Sequence, residues 1–392
     1  MRIETQAQYE AQTAAEIRLA EFLAEQIRNS VTYFGYPEIP QNNDLAILGI
    51  SGLAKLHLNN AGDPSIHGNS KMHTKEFEKE VLAFVADLYE LENHWGYITS
   101  GGTEGNLYGA YMGRDYFKLQ EKEPYFLFSE SSHYSIPKNA HLLDIKQEKI
   151  QSQASGEMSY EHLRKVIAEI HAIHSNYGLI INLNIGTTMT GGMDQLSEVQ
   201  KVLRELGIEQ ENVFLHADAA LMGFIYPFLE SKEDLFQNGL SSIAISGHKF
   251  PGTIHPCGIF LSSKELQDKT FKKSSWVPYL EVHDTTISGS RNGFLAINFW
   301  YIIQKKGIEG FKREAETCIE NANYLYEKLK SFNYPDVAYN PNQIIVTFKK
   351  PQDAIVKKYQ LATQEDKAHV VVMQHINRHK IDEFCAVLQE SI

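Results

Sequence analysis

The sequence predicts an α/β protein built on a mainly parallel sheet with helices on both faces. Two observations carry this. Short apolar runs recur at WGYIT (95–99), YFLF (125–128), LIINLN (179–184), VFLHA (213–217), SIAIS (242–246) and GIFLS (258–262). Amphipathic helical patterns, such as EHLRKVIAEIHAIH (161–174), lie between most of them. Buried runs alternating with amphipathic helices are the signature of parallel strands joined by helical crossovers. In such sheets a ligand sits beyond the carboxyl ends of the strands.

Taken in order, the chain opens with a helical pattern. Leu19, Phe22, Leu23 and Ile27 recur at helical spacing between charged residues, so this helix needs a surface to cover. Two stretches dense in Gly, Pro and Asn come next, YFGYPEIPQNND (33–44) and LHLNNAGDPSIHGNSK (56–71), and read as long loops. Loops of that length in a compact protein are often functional. From residue 76 the regular alternation begins with the helix FEKEVLAFVADLYEL (77–91). A second, smaller α/β unit closes the chain: a long helical pattern (311–332), QIIVTFK (343–349), AHVVVM (368–373) and a final helix. The expected division is 1–75 as an N-terminal helix with substrate or dimer loops, 76–301 as the large domain, and 302–392 as the small C-terminal domain.

Composition narrows the function. The 392 residues are 43% hydrophobic and 22% charged, as in a soluble globular protein. A formal charge of −12 argues against nucleic acid or an anionic membrane as main partner. Cys257, Cys318 and Cys385 are widely spaced, which fits a reducing compartment rather than a disulfide framework. The N-terminal stretch has no apolar leader core, and no long uncharged apolar run occurs later, so a cytoplasmic location is expected. The 16 histidines do not fall at metal-ligand spacings, so no metal is expected.

Polar motifs collect at the ends of the apolar runs. Thr99-Ser100-Gly101-Gly102-Thr103-Glu104-Gly105-Asn106 opens a helix after a strand, where free N–H groups and the helix dipole favour a phosphate. It is neither a Walker A nor a dinucleotide fingerprint. His133, in SSHYS, is placed to stack on a planar ring. Asp218, in HADAAL, ends a strand and needs a cationic or hydrogen-bonding partner. Lys249, in SGHKF, comes just after another strand, where partial desolvation makes an amine nucleophilic. Ser288-Gly289-Ser290-Arg291 offers hydroxyls and a guanidinium to an anion. Each has a plain alternative: a Gly-rich turn, a structural histidine, a helix-capping aspartate, a solvated lysine, a turn into the next helix. Together they are the parts needed to hold pyridoxal phosphate (PLP).

The motifs WGYITSGGTEGN, SSHYS, NIGTTMTGGMD, HADAAL, SGHKF, PCGI and TISGSRNG resemble the group II PLP-dependent amino-acid decarboxylases of fold type I. The resemblance runs from about Phe34 to near the C-terminus and is closest to bacterial histidine decarboxylases and plant serine decarboxylases. It implies a large domain with a mainly parallel seven-stranded sheet, a smaller C-terminal domain, and a homodimer with its site at the subunit interface. It implies that Lys249 binds the cofactor aldehyde, Asp218 pairs with the ring nitrogen, His133 stacks on one ring face and Ala220 packs on the other. Gly102, Thr103, Ser246 and His248 would hold the phosphate, and Thr187 would lie near the cofactor hydroxyl or the substrate carboxylate. Ser288, Gly289 and Ser290 would reach the phosphate of the neighbouring subunit.

The stretch Tyr279–Ser288 is shorter than the mobile loop of the aromatic decarboxylases, which leaves Tyr279 or His133 as proton donor. Substrate choice would fall to Tyr36-Pro37 and the stretch from Asn59 to His73. His73 and Gly62-Asp63-Pro64 resemble the plant serine enzymes, whereas HADAAL and NIGTTMTG resemble the bacterial histidine group. The expected reaction is decarboxylation of an L-amino acid, with L-histidine the first choice and L-serine the second. An aminotransferase or aldolase of the same fold is disfavoured, because the C-terminal region offers Arg378 without a convincing partner for a second carboxylate. A non-catalytic binding subunit is disfavoured by the intact Lys249 and Asp218.

Overall fold

The computed structural model describes residues 6–40, 52–53, 55–271 and 276–391. Residues 41–44, the end of the first long loop expected from sequence, and residues 45–51 after it lie outside the described residues.

The central sheet has seven strands: β1 (His94–Thr99), β2 (Glu123–Ser129), β3 (Lys146–Ile150), β4 (Tyr177–Asn184), β5 (Val213–Asp218), β6 (Ser242–Ser246) and β7 (Gly258–Ser263), in the spatial order β1-β7-β6-β5-β4-β2-β3. β3, β2, β4, β5 and β6 are parallel, and β7 runs antiparallel to its neighbours β6 and β1. β4 and β5 are buried along their whole length, which is why they read as unbroken apolar runs. β3, at the edge, is exposed at four of its five positions and carries Lys146 and Lys149, a charged edge that discourages pairing with another chain.

Helices α2 (Lys75–Leu88), α3 (Gly102–Lys118), α4 (Ser135–Leu142), α5 (Tyr160–Ile173), α6 (Leu196–Glu205) and α7 (Lys264–Thr270) cover the sheet. α2 buries Glu78, Val81, Leu82, Val85 and Ala86, the helical spacing that produced its amphipathic pattern. α5 starts where the Ser159 side chain accepts the N–H of His162. A short hairpin, β8 (Trp276–Val277) and β9 (Val282–His283), comes after α7.

The N-terminal helix α1 (Gln6–Ser30) forms as expected. Its Leu19, Phe22, Leu23 and Ile27 are 67%, 58%, 61% and 46% exposed, so nothing among the described residues covers the stripe. At the other end, α8 (Gly293–Ser331) is capped by Asn292, which accepts the N–H of Phe294. Its backbone breaks at Gly307 (φ 58°, ψ −176°), where only glycine is comfortable. The 301/302 division expected from sequence falls inside this helix.

The C-terminal unit is an antiparallel sheet ordered β10 (Ala338–Tyr339), β11 (Ile345–Lys349), β13 (Lys367–Val371), β12 (Ala362–Gln364), with helices α9 (Asp353–Tyr359) and α10 (Arg378–Gln389). Its core gathers Leu325, Leu329, Val346, Phe348, Tyr359, Leu361 and Phe384. Phe34, from the far end of the chain, is part of that core.

Candidate active site

A cavity of about 430 Å³ opens at the carboxyl ends of β1, β2, β4, β5 and β6. Of the residues expected at the site, the fold brings Tyr36, Gly102, Thr103, His133, Thr187, Asp218, Ala220, Ser246, His248 and Lys249 to its lining.

One end is made for an anion. Helix α3 begins at Gly102, and among the described residues the N–H groups of Gly102 and Thr103 have no acceptor. A Cβ added at Gly102 would stand 2.7 Å from Ser246 Oγ and 3.2 Å from Ala220 Cβ, so glycine leaves the hollow open. His248 stands beside it, its Nδ1 2.8 Å from the Cys257 carbonyl. Burial lowers the His248 pKa, and the Lys249 charge lowers it further. N–H groups, a hydroxyl and an imidazole around a side-chain-free hollow suit a phosphate.

The other end is anionic. Asp218, 7% exposed, ends β5, and its Oδ1 accepts the Ala220 N–H at 3.1 Å. Lys249 lies between the two ends. Burial lowers its pKa, while Asp218 and Glu38 pull it back up, so the amine loses its proton more readily than a solvated lysine. His133 Nδ1 is 2.8 Å from Ser135 Oγ and accepts the Ser135 N–H at 3.3 Å. The neutral ring therefore carries its proton on Nε2. Burial lowers its pKa, favouring that neutral form.

Beneath the cavity lies a polar network. Asn184 ends β4 and donates from Nδ2 to Ser129 Oγ (3.0 Å) and Asp194 Oδ2 (2.8 Å). Asp194 also accepts the N–H groups of Asn184 and Met158. Burial pushes its carboxyl up to about 7 against these donors. Thr187 is tied into its loop by the Gly192 N–H, which donates to Thr187 Oγ1 at 2.8 Å.

Seven other expected residues lie outside this lining. Tyr279 is 78% exposed on the β8–β9 hairpin, because the two-strand turn carries it to the surface. Asn59 Nδ2 donates to Ser290 Oγ at 3.1 Å, and Asn59 Oδ1 accepts the Arg291 N–H at 3.0 Å. His73 Nε2 faces His67 Nδ1 at 3.3 Å. Ser288 reaches the cavity only through Glu104, 3.5 Å away, and Gly289 stands in open space. Arg291, expected to be open to an anion, is instead buried in an ion pair with Glu78 and donates to the Gly62 carbonyl. An unpaired guanidinium there would carry an uncompensated charge.

The lining also contains residues that sequence reasoning missed: Glu38, Glu104, Asn106, Asn184 and His369. Glu104 is saturated, accepting from Ser100 N–H, Ser100 O–H and Tyr97 O–H. Asn106 is held by His216, whose Nε2 lies 3.0 Å from its Oδ1. His369 is placed by long-range packing, with Nδ1 3.2 Å from the Met189 carbonyl and Nε2 3.0 Å from that of Gly35.

A phosphate cradle, a strand-end carboxylate and a desolvated lysine at the carboxyl ends of a mainly parallel sheet define a PLP enzyme of the fold-type-I class. The profile of the pyridoxal-dependent decarboxylase conserved domain matches residues 2–350. The chain belongs to that family: it is a carboxy-lyase, and its cofactor is pyridoxal phosphate. It is 36% identical over 361 residues to the histidine decarboxylase of Morganella morganii, covering 91% of this chain and 92% of the relative. It is 40% identical over 333 residues to serine decarboxylase 3 of Oryza sativa subsp. japonica, covering 84% and 72%. The structure of L-methionine decarboxylase from Streptomyces sp. 590 superposes with a TM-score of 0.88 at 23% identity, over 99% of this chain and 95% of that one, and shares the fold.

Proposed function

We propose that the protein decarboxylates L-histidine to histamine and carbon dioxide. The observation that carries the chemistry is a buried Lys249 in one cavity with the phosphate cradle and Asp218. The identity to the Morganella morganii enzyme across nine-tenths of both chains supports histidine as substrate. PLP, when bound, supplies an aldehyde for the substrate amine and a ring that takes up the electron pair left by departing carbon dioxide.

The chain's residues do the rest. Gly102, Thr103, Ser246 and His248 bind the phosphate. Asp218 keeps a proton at the ring nitrogen, which strengthens the ring as electron acceptor. Lys249, its amine made easier to deprotonate by burial, would be the residue that holds the cofactor aldehyde. His133 would stack on the ring and pack it against Ala220, and its Nε2–H would be the proton source for Cα, with the Ser135 hydroxyl 2.8 Å from Nδ1 returning a proton to the imidazole. Thr187 anchors the cofactor hydroxyl or the substrate carboxylate. In this chain's cavity His133 takes the donor role that Tyr279 does not reach.

The working unit is a homodimer with its sites at the subunit interface. The uncovered stripe of α1 and the open position of Ser288, Gly289 and Ser290 beside the cavity support this. Three free, buried cysteines, Cys257, Cys318 and Cys385, support a reducing, cytoplasmic setting. The 40% identity to a rice serine decarboxylase favours L-serine to ethanolamine as the second reading.

The test is product analysis of the PLP-loaded protein with L-histidine and L-serine offered together. Histamine as main product supports the first reading and ethanolamine the second. Lys249→Ala should release no carbon dioxide above background, and wild-type release from that variant would remove Lys249 from the chemistry.

A further inference from the structure

The floor of the cavity engages what all amino acids share, so discrimination falls to its walls. One wall is the strap Tyr33–Glu38, which contributes Gly35, Tyr36, Pro37 and Glu38 to the lining. The strap is fixed rather than loose. Phe34 N–H donates to the Tyr359 carbonyl (3.2 Å), and Val371 N–H donates to the Phe34 carbonyl (2.9 Å). His369 Nε2 stands on the Gly35 carbonyl and His375 Nε2 lies 2.6 Å from that of Tyr33. Gly35 passes so close to the C-terminal sheet that a Cβ would stand 2.3 Å from both Ala362 N and the Gln360 carbonyl.

Among the described residues three carboxylates line the cavity: Glu38, Glu104 and Asp218. Glu104 already accepts from Ser100, Tyr97 and Ser288, two bonds on each oxygen. Asp218 belongs to the ring nitrogen. Glu38 alone has acceptor capacity to spare. Its Oε2 accepts the Tyr33 hydroxyl at 2.9 Å, and among the described residues its Oε1 accepts nothing. Among the described residues Lys249 is the sole Lys or Arg in the lining, and on the decarboxylase reading it is committed to the cofactor. Glu38 thus presents a partly dehydrated negative charge with one open oxygen, held in place through Tyr33. It shares the cavity lining with Lys249 and His248.

Resting on the decarboxylase reading, we propose that Glu38 Oε1 accepts a side-chain N–H of the substrate and selects an imidazole-bearing amino acid, with Tyr33 as its positioning residue. A carboxylate is a charge-assisted acceptor for imidazole or imidazolium. It repels an acidic side chain and gains nothing from an aliphatic one.

The experiment compares PLP-loaded wild type, Glu38→Gln, Glu38→Asp and Tyr33→Phe. The readouts are kcat and KM for L-histidine, the Kd of histamine by calorimetry, and the same values for the two ring-N-methyl isomers of histidine. Glu38→Gln should lose about 10- to 100-fold in kcat/KM and weaken histamine binding about as much, the scale of a hydrogen bond to a charged group. One methyl isomer should suffer a similar loss with wild type and little further loss with Glu38→Gln. Tyr33→Phe should raise KM severalfold with kcat nearly unchanged. An unfolding midpoint equal to wild type shows that Glu38→Gln is folded, and Glu38→Asp supplies a second variant that keeps the charge. Wild-type kcat/KM and histamine Kd in Glu38→Gln would overturn the proposal while carbon dioxide release left the decarboxylase reading standing. A wild-type protein that turned over serine but not histidine would overturn it too. Failure of wild type to release carbon dioxide from any amino acid would instead defeat the decarboxylase reading.

Discussion

Replacing His216 by glutamine tests the charge state of the core beneath the cavity. His216 is fully buried on β5, with Nδ1 2.8 Å from Ser242 Oγ and Nε2 3.0 Å from Asn106 Oδ1. Burial lowers its pKa from 6.5 to about 3. Between those values the unfolded chain binds a proton that the folded chain refuses. Its contribution to stability is therefore complete above pH 6.5 and is lost progressively as pH falls towards 3. Each pH unit in that window costs about 1.4 kcal/mol, so acidification from pH 6.5 to pH 5 removes about 2 kcal/mol through this residue. His375, lowered by burial to about 4, acts with the same sign. Asp194, raised to about 7, acts with the opposite sign, because the folded chain keeps its proton after the unfolded chain has lost it. A wild-type curve mixes these effects, so the variant isolates one. Urea unfolding of wild type and His216→Gln at pH 7 and pH 5 gives two differences in stability. The destabilisation caused by the substitution should shrink by about 2 kcal/mol at the lower pH. Equal differences at both pH values would refute the buried, neutral imidazole.

Packing sets three further outcomes. Gly102→Ala puts a methyl 2.7 Å from Ser246 Oγ and should weaken PLP binding by about tenfold or more, the scale of overpacking a filled site, read by titrating the apo-protein with PLP. Glu78→Ala leaves Arg291 buried without its partner and should cost about 3–5 kcal/mol in urea unfolding. Aspartate at Leu19, Phe22 and Leu23 together breaks the uncovered stripe of α1 and should shift the protein towards monomer in light scattering, with retained helicity by circular dichroism.

The floor of the site was legible because its residues sit in contiguous motifs at strand ends. Thr99, Asp218 and Ser246 each close a strand of one sheet, so the apolar runs already locate these polar residues at their carboxyl ends. The walls were not legible. Glu38 and His369 meet through the packing of the chain's two ends, and no local pattern marks either. β3 was missed because an edge strand with Lys146, Glu148 and Lys149 has no apolar run to show. Arg291 was misread because its partner Glu78 lies 213 positions away. Tyr279 was attractive as a proton donor by chemistry alone, and a hairpin of two-residue strands turns it to solvent.

The pinning of the strap also orders events in time. His369 lies 334 positions from the Gly35 carbonyl it holds, and 120 residues separate it from Lys249. At about 5–20 residues per second of synthesis, roughly 6–24 s pass between the two. Early in that interval a growing chain has Gly102, Thr103, Ser246, His248 and Lys249 and none of the β13 residues that fix the strap. If Glu38 selects the substrate as proposed, the residues that fix the selecting wall are among the last of the site to be made, and a chain cut short before residue 362 lacks the His369 and Val371 that hold it.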